Sequence, residues 1–342
     1  MIHSFENDYS EGAHPLILKA LVESNETQQR GYGSDDYCAM AREKIRAEIG
    51  KKEADVEFFV GGTQTNQVAI DVLLRPYEGV ISANTGHIAV HEAGAIEATG
   101  HKVLELPQKE GKISADVLKT YLGNFYAEQI SDHCVQPGMV YVTHPTEYGT
   151  LYTKEELSAI YKICKEYSLL LYVDGARLGY GVGAAGTDIT MKDLAALCDV
   201  FCIGGTKTGT LVGEALVFCG VKKPRGFLTS IKRRGALLAK GRVLGVQFDA
   251  LFTDGLFYKI GKEADEKALK IARALKEKGY TLYLESPTNQ QFVKVSEAKC
   301  AEWEKHMRVN RFQILPDGDI VVRFVTDWST TDKDVNDLIA LF

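Results

Sequence analysis

Short apolar runs alternate with amphipathic stretches through the first two thirds of the chain. Strand-like runs begin near Phe58 and recur at residues 79–83, 102–106, 139–143, 169–173, 199–203 and 214–218. Helical apolar spacing lies between them, for example at 90–98 and 155–167. Strands that alternate with helices predict an α/β fold with a mainly parallel sheet. The connection from 203 to 214 is too short for a helical crossover, so this last strand pair should be antiparallel.

The pattern changes in the last third of the chain. A long helical pattern runs through 231–275, followed by strand-like runs at 280–284, 291–295 and 320–325 and a helical stretch at 298–309. This arrangement predicts a separate small α+β domain. The polar start of the chain has no period and indicates an arm. We therefore predict an arm at 1–13, a large domain at 14–248 and a small C-terminal domain at 249–342.

Composition narrows the class of protein. The 342 residues are 45% hydrophobic and carry a net charge of -6, so the chain can bury a large core and has no basic stripe for nucleic acid. No run reaches the ~18 apolar residues of a membrane helix. Seven dispersed cysteines without a C-x-x-C pair, and a polar start unlike a signal peptide, predict a cytoplasmic protein. The eight histidines and seven cysteines show no metal-ligand spacing.

Two polar residues follow buried strands at the centre of the predicted sheet. Asp174 ends the run 169–173, and Lys207 stands in a glycine-rich loop just after 199–203. Open α/β sheets bind ligands at this rim, and an aspartate with an imine-forming lysine suits pyridoxal phosphate. The alternatives are a turn-capping aspartate and a surface lysine. A phosphate-binding P-loop is excluded, because Thr206 and not glycine precedes the lysine.

Other polar residues extend this picture. The helix entry at Gly62 and Thr63 could bind a phosphate or be a plain N-cap. His87 and His144 both follow strands, so they could act as acid and base at the same rim or be structural.

Two arginines are candidates for binding a carboxylate. Arg177 could pair with Asp174 or with a substrate, because its guanidinium fork matches a carboxylate. Arg323 lies in an apolar strand and needs a partner, which could be a ligand or a structural salt bridge.

Taken in order, the segment Val173-Asp174-Gly175-Ala176-Arg177 and the downstream Lys207 resemble the L-threonine aldolase and β-eliminating lyase family. The resemblance covers nearly the whole chain. It implies fold type I of the pyridoxal-phosphate enzymes, with a seven-stranded, mainly parallel sheet flanked by helices and a small α+β domain. The chain departs from the family at Asn7, where a serine is usual, and at Thr206, where a serine precedes the lysine.

The resemblance also implies roles for matching residues. It implies cofactor contacts at Gly62, Thr63, His87, Asp174, Ala176, Lys207 and Arg242, with Arg242 reaching a neighbouring subunit. It implies substrate contacts at Asn7, Tyr32, Arg177 and Arg323. It implies a catalytic set of Lys207, His87, His144 and Asp174, in which one of the two histidines is the base. No metal is expected.

The resemblance therefore implies cleavage of a β-hydroxy-α-amino acid, L-threonine or L-allo-threonine, to glycine and an aldehyde, by a homodimer or homotetramer that uses pyridoxal 5'-phosphate. A β-eliminating lyase or aminotransferase is the alternative within the same cofactor class. A non-catalytic ligand-binding protein on the same scaffold is the alternative from another class, although the presence of both Lys207 and Asp174 argues against it.

Overall fold

The chain alternates strands and helices in a computed structural model that describes residues 3–342. Residues 1 and 2 of the predicted arm lie outside the described part. The strands are β1 (Asp55–Phe59), β2 (Glu78–Ala83), β3 (Val103–Leu106), β4 (Gln136–Thr143), β5 (Leu170–Asp174), β6 (Val200–Gly204), β7 (Glu214–Phe218), β8 (Thr281–Leu282), β9 (Gln290–Val295), β10 (Asn310–Ile314) and β11 (Ile320–Val325).

The helices lie between and around these strands. They are α1 (Pro15–Ser24), α2 (Asp36–Ile49), α3 (Gly62–Leu73), α4 (His87–Val90), α5 (Ala115–Ala127), α6 (Lys154–Glu166), α7 (Leu178–Gly183), α8 (Met191–Ala196), α9 (Phe227–Arg233), α10 (Arg242–Leu251), α11 (Leu256–Glu277), α12 (Glu297–Trp303) and α13 (Asp332–Ile339). Within residues 3–342, no helix is both long enough and apolar enough to cross a membrane.

The larger sheet has seven strands in the order β1-β7-β6-β5-β4-β2-β3. It is parallel except for β7, which is antiparallel to both of its neighbours, β1 and β6. This confirms the predicted fold class and the antiparallel pair at 203–214. Every residue of β6 and β7 is buried, as expected for strands covered on both faces.

Helices cover both faces of this sheet. One apolar cluster contains Val140 and Val142 of β4 and the other contains Met139 and Tyr141, so consecutive side chains of β4 enter opposite layers. The second cluster includes the buried face of α3. Tyr141 and Tyr172 therefore face α3, which places their hydroxyl groups beside the polar end of that helix.

A smaller antiparallel sheet has the order β10-β11-β9-β8. It packs around a third apolar cluster that includes Trp303, Phe324 and Phe5 from the start of the chain. The predicted domain limits at 13 and 248 stay predictions; residue 248 lies inside α10.

Three of the expected elements are wrong. The predicted helix at 231–275 is broken into α9, α10 and α11, because Gly235 and Gly255 take left-handed backbone angles with φ of 68° and 69°. The helix expected at 90–98 ends at Val90, and turns with positive φ at Ala93 and Gly94 follow.

The third error lies in the smaller sheet. The helix expected at 298–309 is the shorter α12, and the next strand, β10, was missed because its polar residues only partly enter the core. The run at 280–284 contains only the two-residue strand β8.

Candidate active site

A pocket lies at the rim where parallel strands β4, β5 and β6 end. Its lining residues are His87, Thr143, Pro145, Thr146, Glu147, Asp174, Ala176, Arg177 and Lys207. Five residues expected at the site therefore share one cavity: His87, Asp174, Ala176, Arg177 and Lys207. The Asp174 carboxylate and the Lys207 amine lie on the same side of the sheet, so both could contact one bound ring.

Three donors fix the Asp174 carboxylate, which is only 3% exposed. Its Oδ1 accepts from the backbone N–H of Ala176 at 2.8 Å. Its Oδ2 accepts from Asn66 Nδ2 at 2.9 Å and from the hydroxyl of Tyr141 at 2.5 Å. Burial and the charge of Asp174 raise the pKa of Tyr141, so this hydroxyl stays a donor. The carboxylate is held in one orientation at the floor of the pocket.

Asn66 of α3 connects this carboxylate to a second one. Its Nδ2 also donates to Glu92 Oε1 at 2.7 Å, while its Oδ1 accepts from the hydroxyl of Tyr172 at 2.6 Å. The amide orientation is therefore defined by partners on both ends. Asn66 is 1% exposed, so each of these bonds is made in the dry interior.

His87 is held by two acidic residues. Its Nδ1 lies 2.7 Å from Glu92 Oε1, and its backbone N–H donates to Glu147 Oε1 at 2.8 Å. Glu147 is held in turn by the hydroxyl of Thr143 at 2.9 Å, and burial raises the pKa of its carboxyl group. Because Glu92 engages Nδ1, Nε2 is the ring nitrogen left to meet a ligand.

Lys207 lies just after β6, in a loop closed by backbone bonds. Gly205 and Thr206 both donate N–H groups to the Gly213 carbonyl at 3.0 Å. The ammonium group of Lys207 has no hydrogen bond or ion pair among the residues that the structure describes. Burial and the charge of Arg177 lower the pKa of Lys207, and burial raises that of nearby Glu214 to about 8. A lower pKa increases the fraction of this amine that is in the neutral, nucleophilic form.

The two expected carboxylate-binding arginines have different surroundings. Arg177 donates from Nε and Nη2 to Asp8 at 2.7 and 2.9 Å. Arg323 has no carboxylate partner in the described chain: its Nη1 donates to Gln290 Oε1 at 3.1 Å, its Nη2 to the Glu6 backbone carbonyl at 3.4 Å, and its buried Nε has no partner. Burial and the charge of Arg177 lower the pKa of Arg323 to about 10. The structural salt bridge considered for Arg323 is therefore not formed.

His144 requires a correction, because it does not line the pocket. It is fully buried, both ring nitrogens lack hydrogen-bond partners, and the ring packs against α7, where a Cβ on Gly181 would lie 3.5 Å from its Cδ2. Burial lowers the pKa of His144 to about 4, so the ring is neutral near pH 7. The structure makes it part of the core and not a base facing substrate.

Arg323 and three further expected residues are not among those that line the pocket of their own chain. Asn7 accepts from the backbone of Tyr9 at 2.9 Å and turns the arm locally. Tyr32 is exposed, with φ of 58°. Arg242 donates to two backbone carbonyls, those of residues 24 and 27. Nothing in one chain brings these three to the cofactor or the substrate.

The N-terminus of α3 lies beside the pocket, because Asn66 on its second turn reaches Asp174. No side chain caps this helix, whose N-cap is Gly61. A Cβ added at Gly61 or Gly62 would meet no atom within 4 Å, so the backbone N–H groups around Gly62 and Thr63 are open to a ligand. Uncapped N–H groups and the helix dipole suit a phosphate.

The family model for "Beta-eliminating lyase" matches residues 17–298 of this chain. The chain therefore belongs to the beta-eliminating lyase family, lyases that use pyridoxal 5'-phosphate. It is 31% identical to the low specificity L-threonine aldolase of a Pseudomonas species, over 98% of this chain and 96% of that protein. A second low specificity L-threonine aldolase, from Pseudomonas aeruginosa, is 30% identical over 98% of this chain and 95% of that one.

Solved structures agree with this assignment. The threonine aldolase of Leishmania major superposes with a TM-score of 0.95 at 40% identity, covering 99% of this chain and 98% of that one. An aspartate aminotransferase of Thermus thermophilus, at 16% identity, matches with a TM-score of 0.70 over 100% and 91% of the two chains. The second likeness shows the shared fold alone.

Several site residues could not be found by reading the sequence. Asn66, Glu92, Tyr141 and Glu147 each contact Asp174 or His87 directly or through one hydrogen bond. Asn66 stands in the glycine-rich helix entry predicted as a phosphate site or N-cap, but nothing local shows that it faces Asp174, 108 residues away. Among residues 3–342, no group of three or more His, Cys, Asp or Glu side chains could hold a metal ion.

Proposed function

We propose that this protein cleaves a β-hydroxy-α-amino acid, L-threonine or L-allo-threonine, to glycine and an aldehyde with pyridoxal 5'-phosphate. The observation that carries the proposal is the single pocket shared by Asp174, Lys207, His87 and Arg177. The Pseudomonas and Leishmania relatives, named as threonine aldolases, support the choice of reaction.

The residues present fit the cofactor. Lys207 offers an unpartnered buried amine to the aldehyde, and Asp174 a fixed carboxylate to the ring nitrogen. The uncapped start of α3 at Gly62 and Thr63 offers N–H groups to the phosphate. His87, positioned by Glu92, would lie against the ring. Bound there, the cofactor would supply the electron sink for the electron pair released at Cα.

The chain's own residues would perform the remaining tasks. Arg177 and Arg323 would bind the substrate carboxylate and so orient the bond between Cα and Cβ for cleavage. His87 would accept the proton of the β-hydroxyl group at Nε2, directly or through water, while Glu92 stabilises the resulting charge across the ring. Lys207, after taking up a proton that the substrate's ammonium group gives up on binding, would donate a proton to Cα before glycine leaves.

We also propose a homodimer or homotetramer. Helix α1 exposes three large apolar side chains, Leu16, Leu18 and Val22, at 55%, 50% and 68% exposure. Arg242 and Tyr32 do not reach the pocket of their own chain, which favours their use at a neighbouring subunit's site. Light scattering during size-exclusion chromatography tests this, and a monomer at micromolar concentration would contradict it.

Seven free cysteines support a cytoplasmic location.

Absorbance and product analysis test the proposed reaction. Purified protein incubated with pyridoxal phosphate and then freed of unbound cofactor should be yellow, and its visible spectrum should change on adding glycine. Aldehyde should be released from L-threonine or L-allo-threonine. Pyruvate and ammonia released from β-substituted amino acids, without aldehyde from threonine, would instead identify a β-eliminating enzyme. A colourless protein would favour a non-catalytic binding protein.

A further inference from the structure

The N-terminal arm crosses from the smaller sheet to the rim of the larger one. The Phe5 carbonyl accepts from Val325 N at 2.8 Å, just where β11 ends. The Glu6 carbonyl accepts from Asn310 Nδ2 at 3.0 Å. Three residues after Phe5, the side chain of Asp8 enters the interior with no exposed surface. The backbone of the arm is therefore anchored on one sheet while its carboxylate reaches the other.

Asp8 is bonded on both sides. Its two oxygens take Nε and Nη2 of Arg177 in a fork, and its Oδ2 also accepts from Asn289 Nδ2 at 3.0 Å. Asn289 is itself fixed between strands β9 and β11 by its bond to the Thr326 carbonyl at 2.9 Å. Although burial opposes it, the charges of Arg177 and Lys207 lower the pKa of Asp8, so the carboxylate is ionised at neutral pH.

The fork uses only one edge of the guanidinium. Nη1 of Arg177 has no hydrogen-bond partner in the described structure, and Arg177 lines the pocket. Asp8 therefore leaves the other edge facing the ligand. A planar guanidinium held by two bonds on one edge cannot rotate freely, so the direction of its remaining donors is set.

Arg323 has no such partner. Its side chain approaches the ring of Phe312 at 5.5 Å and keeps a buried Nε without an acceptor. Asp8 forms an ion pair with Arg177, whereas no carboxylate of the described residues pairs with Arg323. An incoming carboxylate thus meets one oriented set of donors and one cation without an ion-pair partner.

We propose that Asp8 is a positioning residue of the substrate site: it latches Arg177 in the orientation that binds the substrate carboxylate, and it leaves Arg323 as the cation that neutralises that carboxylate. The proposal rests on the proposed function, since it assumes an amino-acid substrate. The N-terminal arm would then act at the site through Asp8. Substrate contact was instead expected of the preceding residue, Asn7.

Titration of the holoenzyme with glycine and with glycinamide tests the latch, using the change in visible absorbance as the readout. Glycinamide keeps the amine but lacks the carboxylate. In Asp8→Asn the dissociation constant of glycine should rise about tenfold, as expected for loss of a charged hydrogen-bond pair, while that of glycinamide stays unchanged. Ser4→Ala, on the same arm but bonded only to Glu6, is the control and should match the unaltered enzyme.

Turnover gives a second readout. The carboxylate contact is made in the bound substrate and in the transition state alike, so Asp8→Asn should raise KM for threonine and leave kcat nearly unchanged. A purely structural role would instead lower the unfolding temperature and reduce active enzyme without changing the ratio of the two dissociation constants.

The outcomes separate the latch from the proposed function. Glycine affinity that is unchanged or tighter in Asp8→Asn would overturn the latch, because removing a negative charge without losing orientation should strengthen anion binding. Equal weakening of glycine and glycinamide would overturn it too. Asp8→Asn keeps the shape of the side chain and so serves even if Asp8→Ala does not fold. Failure of the unaltered enzyme to bind glycine would overturn the proposed function, and the latch with it.

Discussion

The burial of His144 predicts a specific loss of stability in acid. Its ring is fully buried without polar partners, and its pKa falls from 6.5 to about 4. The unfolded chain therefore takes up this proton at a higher pH than the folded one. Its contribution to stability is complete above pH 6.5 and is lost as the pH falls towards 4. At about 1.4 kcal/mol for each pKa unit, the loss is about 3 kcal/mol.

Urea unfolding from pH 7.5 down to pH 4 measures this loss. Other groups also titrate in this range, so the comparison is between variants. His144→Leu replaces the ring by an apolar side chain and breaks no hydrogen bond seen in the structure. Between pH 7.5 and pH 4, the free energy of unfolding of His144→Leu should fall by about 3 kcal/mol less than that of the unaltered protein. His306→Leu is the control, because the ring of His306 is exposed to solvent in the folded protein and so remains hydrated on folding.

Two results would refute this reasoning. Equal pH dependence for His144→Leu and the unaltered protein would mean that the ring is hydrated or paired in the folded state. A folded His144→Leu whose kcat for threonine cleavage falls by about 100-fold or more, the usual cost of losing a general base, would restore its expected role as base.

Three other substitutions have defined outcomes. Lys207→Ala should leave the protein folded but, once unbound pyridoxal phosphate is removed, without the visible absorbance band of the unaltered holoenzyme; an unchanged spectrum would contradict the lysine's role. Asn66→Leu leaves the Tyr172 hydroxyl without a partner and removes one of the two hydrogen-bond partners of Asp174 Oδ2 and of Glu92 Oε1, so urea unfolding should show a loss of about 2 to 4 kcal/mol, and a loss below about 1 would contradict the network. Burial raises the pKa of Glu214 to about 8, so its stabilising effect is complete at low pH and is lost as the pH rises through 8; Glu214→Gln should flatten the fall in unfolding temperature between about pH 5 and 9, and an equal fall would contradict the burial.

The larger sheet was predictable because its central strands are apolar runs buried on both faces. Strand β6 is buried at all five positions, and the short link to β7 leaves no room for a crossover. The helical breaks near Gly235 and Gly255 were harder to see, since glycine inside an apolar pattern is compatible with either a continuous helix or a turn. Tertiary packing decides whether such a glycine lies in a helix or in a turn, and the local sequence does not show that packing.

The chemical pair was predictable for a related reason. Asp174 and Lys207 each follow a buried strand directly, so their place at the rim comes from local pattern. Their supporting residues come from distant segments: Asn66 is 108 residues from Asp174, and Asp8 is 169 residues from Arg177. When two partners lie so far apart along the chain, the residues around each of them do not indicate that they will form a hydrogen bond.

His144 shows where reading the rim from sequence fails. Position after a strand predicts that a residue lies at the rim, but adjacent side chains leave a strand on opposite faces. Thr143 lines the pocket and holds Glu147, whereas the next side chain enters the core against α7. A shift of one residue therefore exchanges a group that can meet substrate for one that cannot.

The charges of the pocket explain why an amino acid, and not a simple amine, fits this site. Arg177, Arg323 and Lys207 lie close enough for Arg177 to depress the pKa of the other two, yet Asp8 forms an ion pair with Arg177 alone. An amine would add a further positive charge to this cluster, whereas the carboxylate of an amino acid supplies the anion that Arg323 lacks. Binding that carboxylate would offset part of the positive potential that lowers the pKa of Lys207, so substrate entry itself should raise the lysine's affinity for a proton.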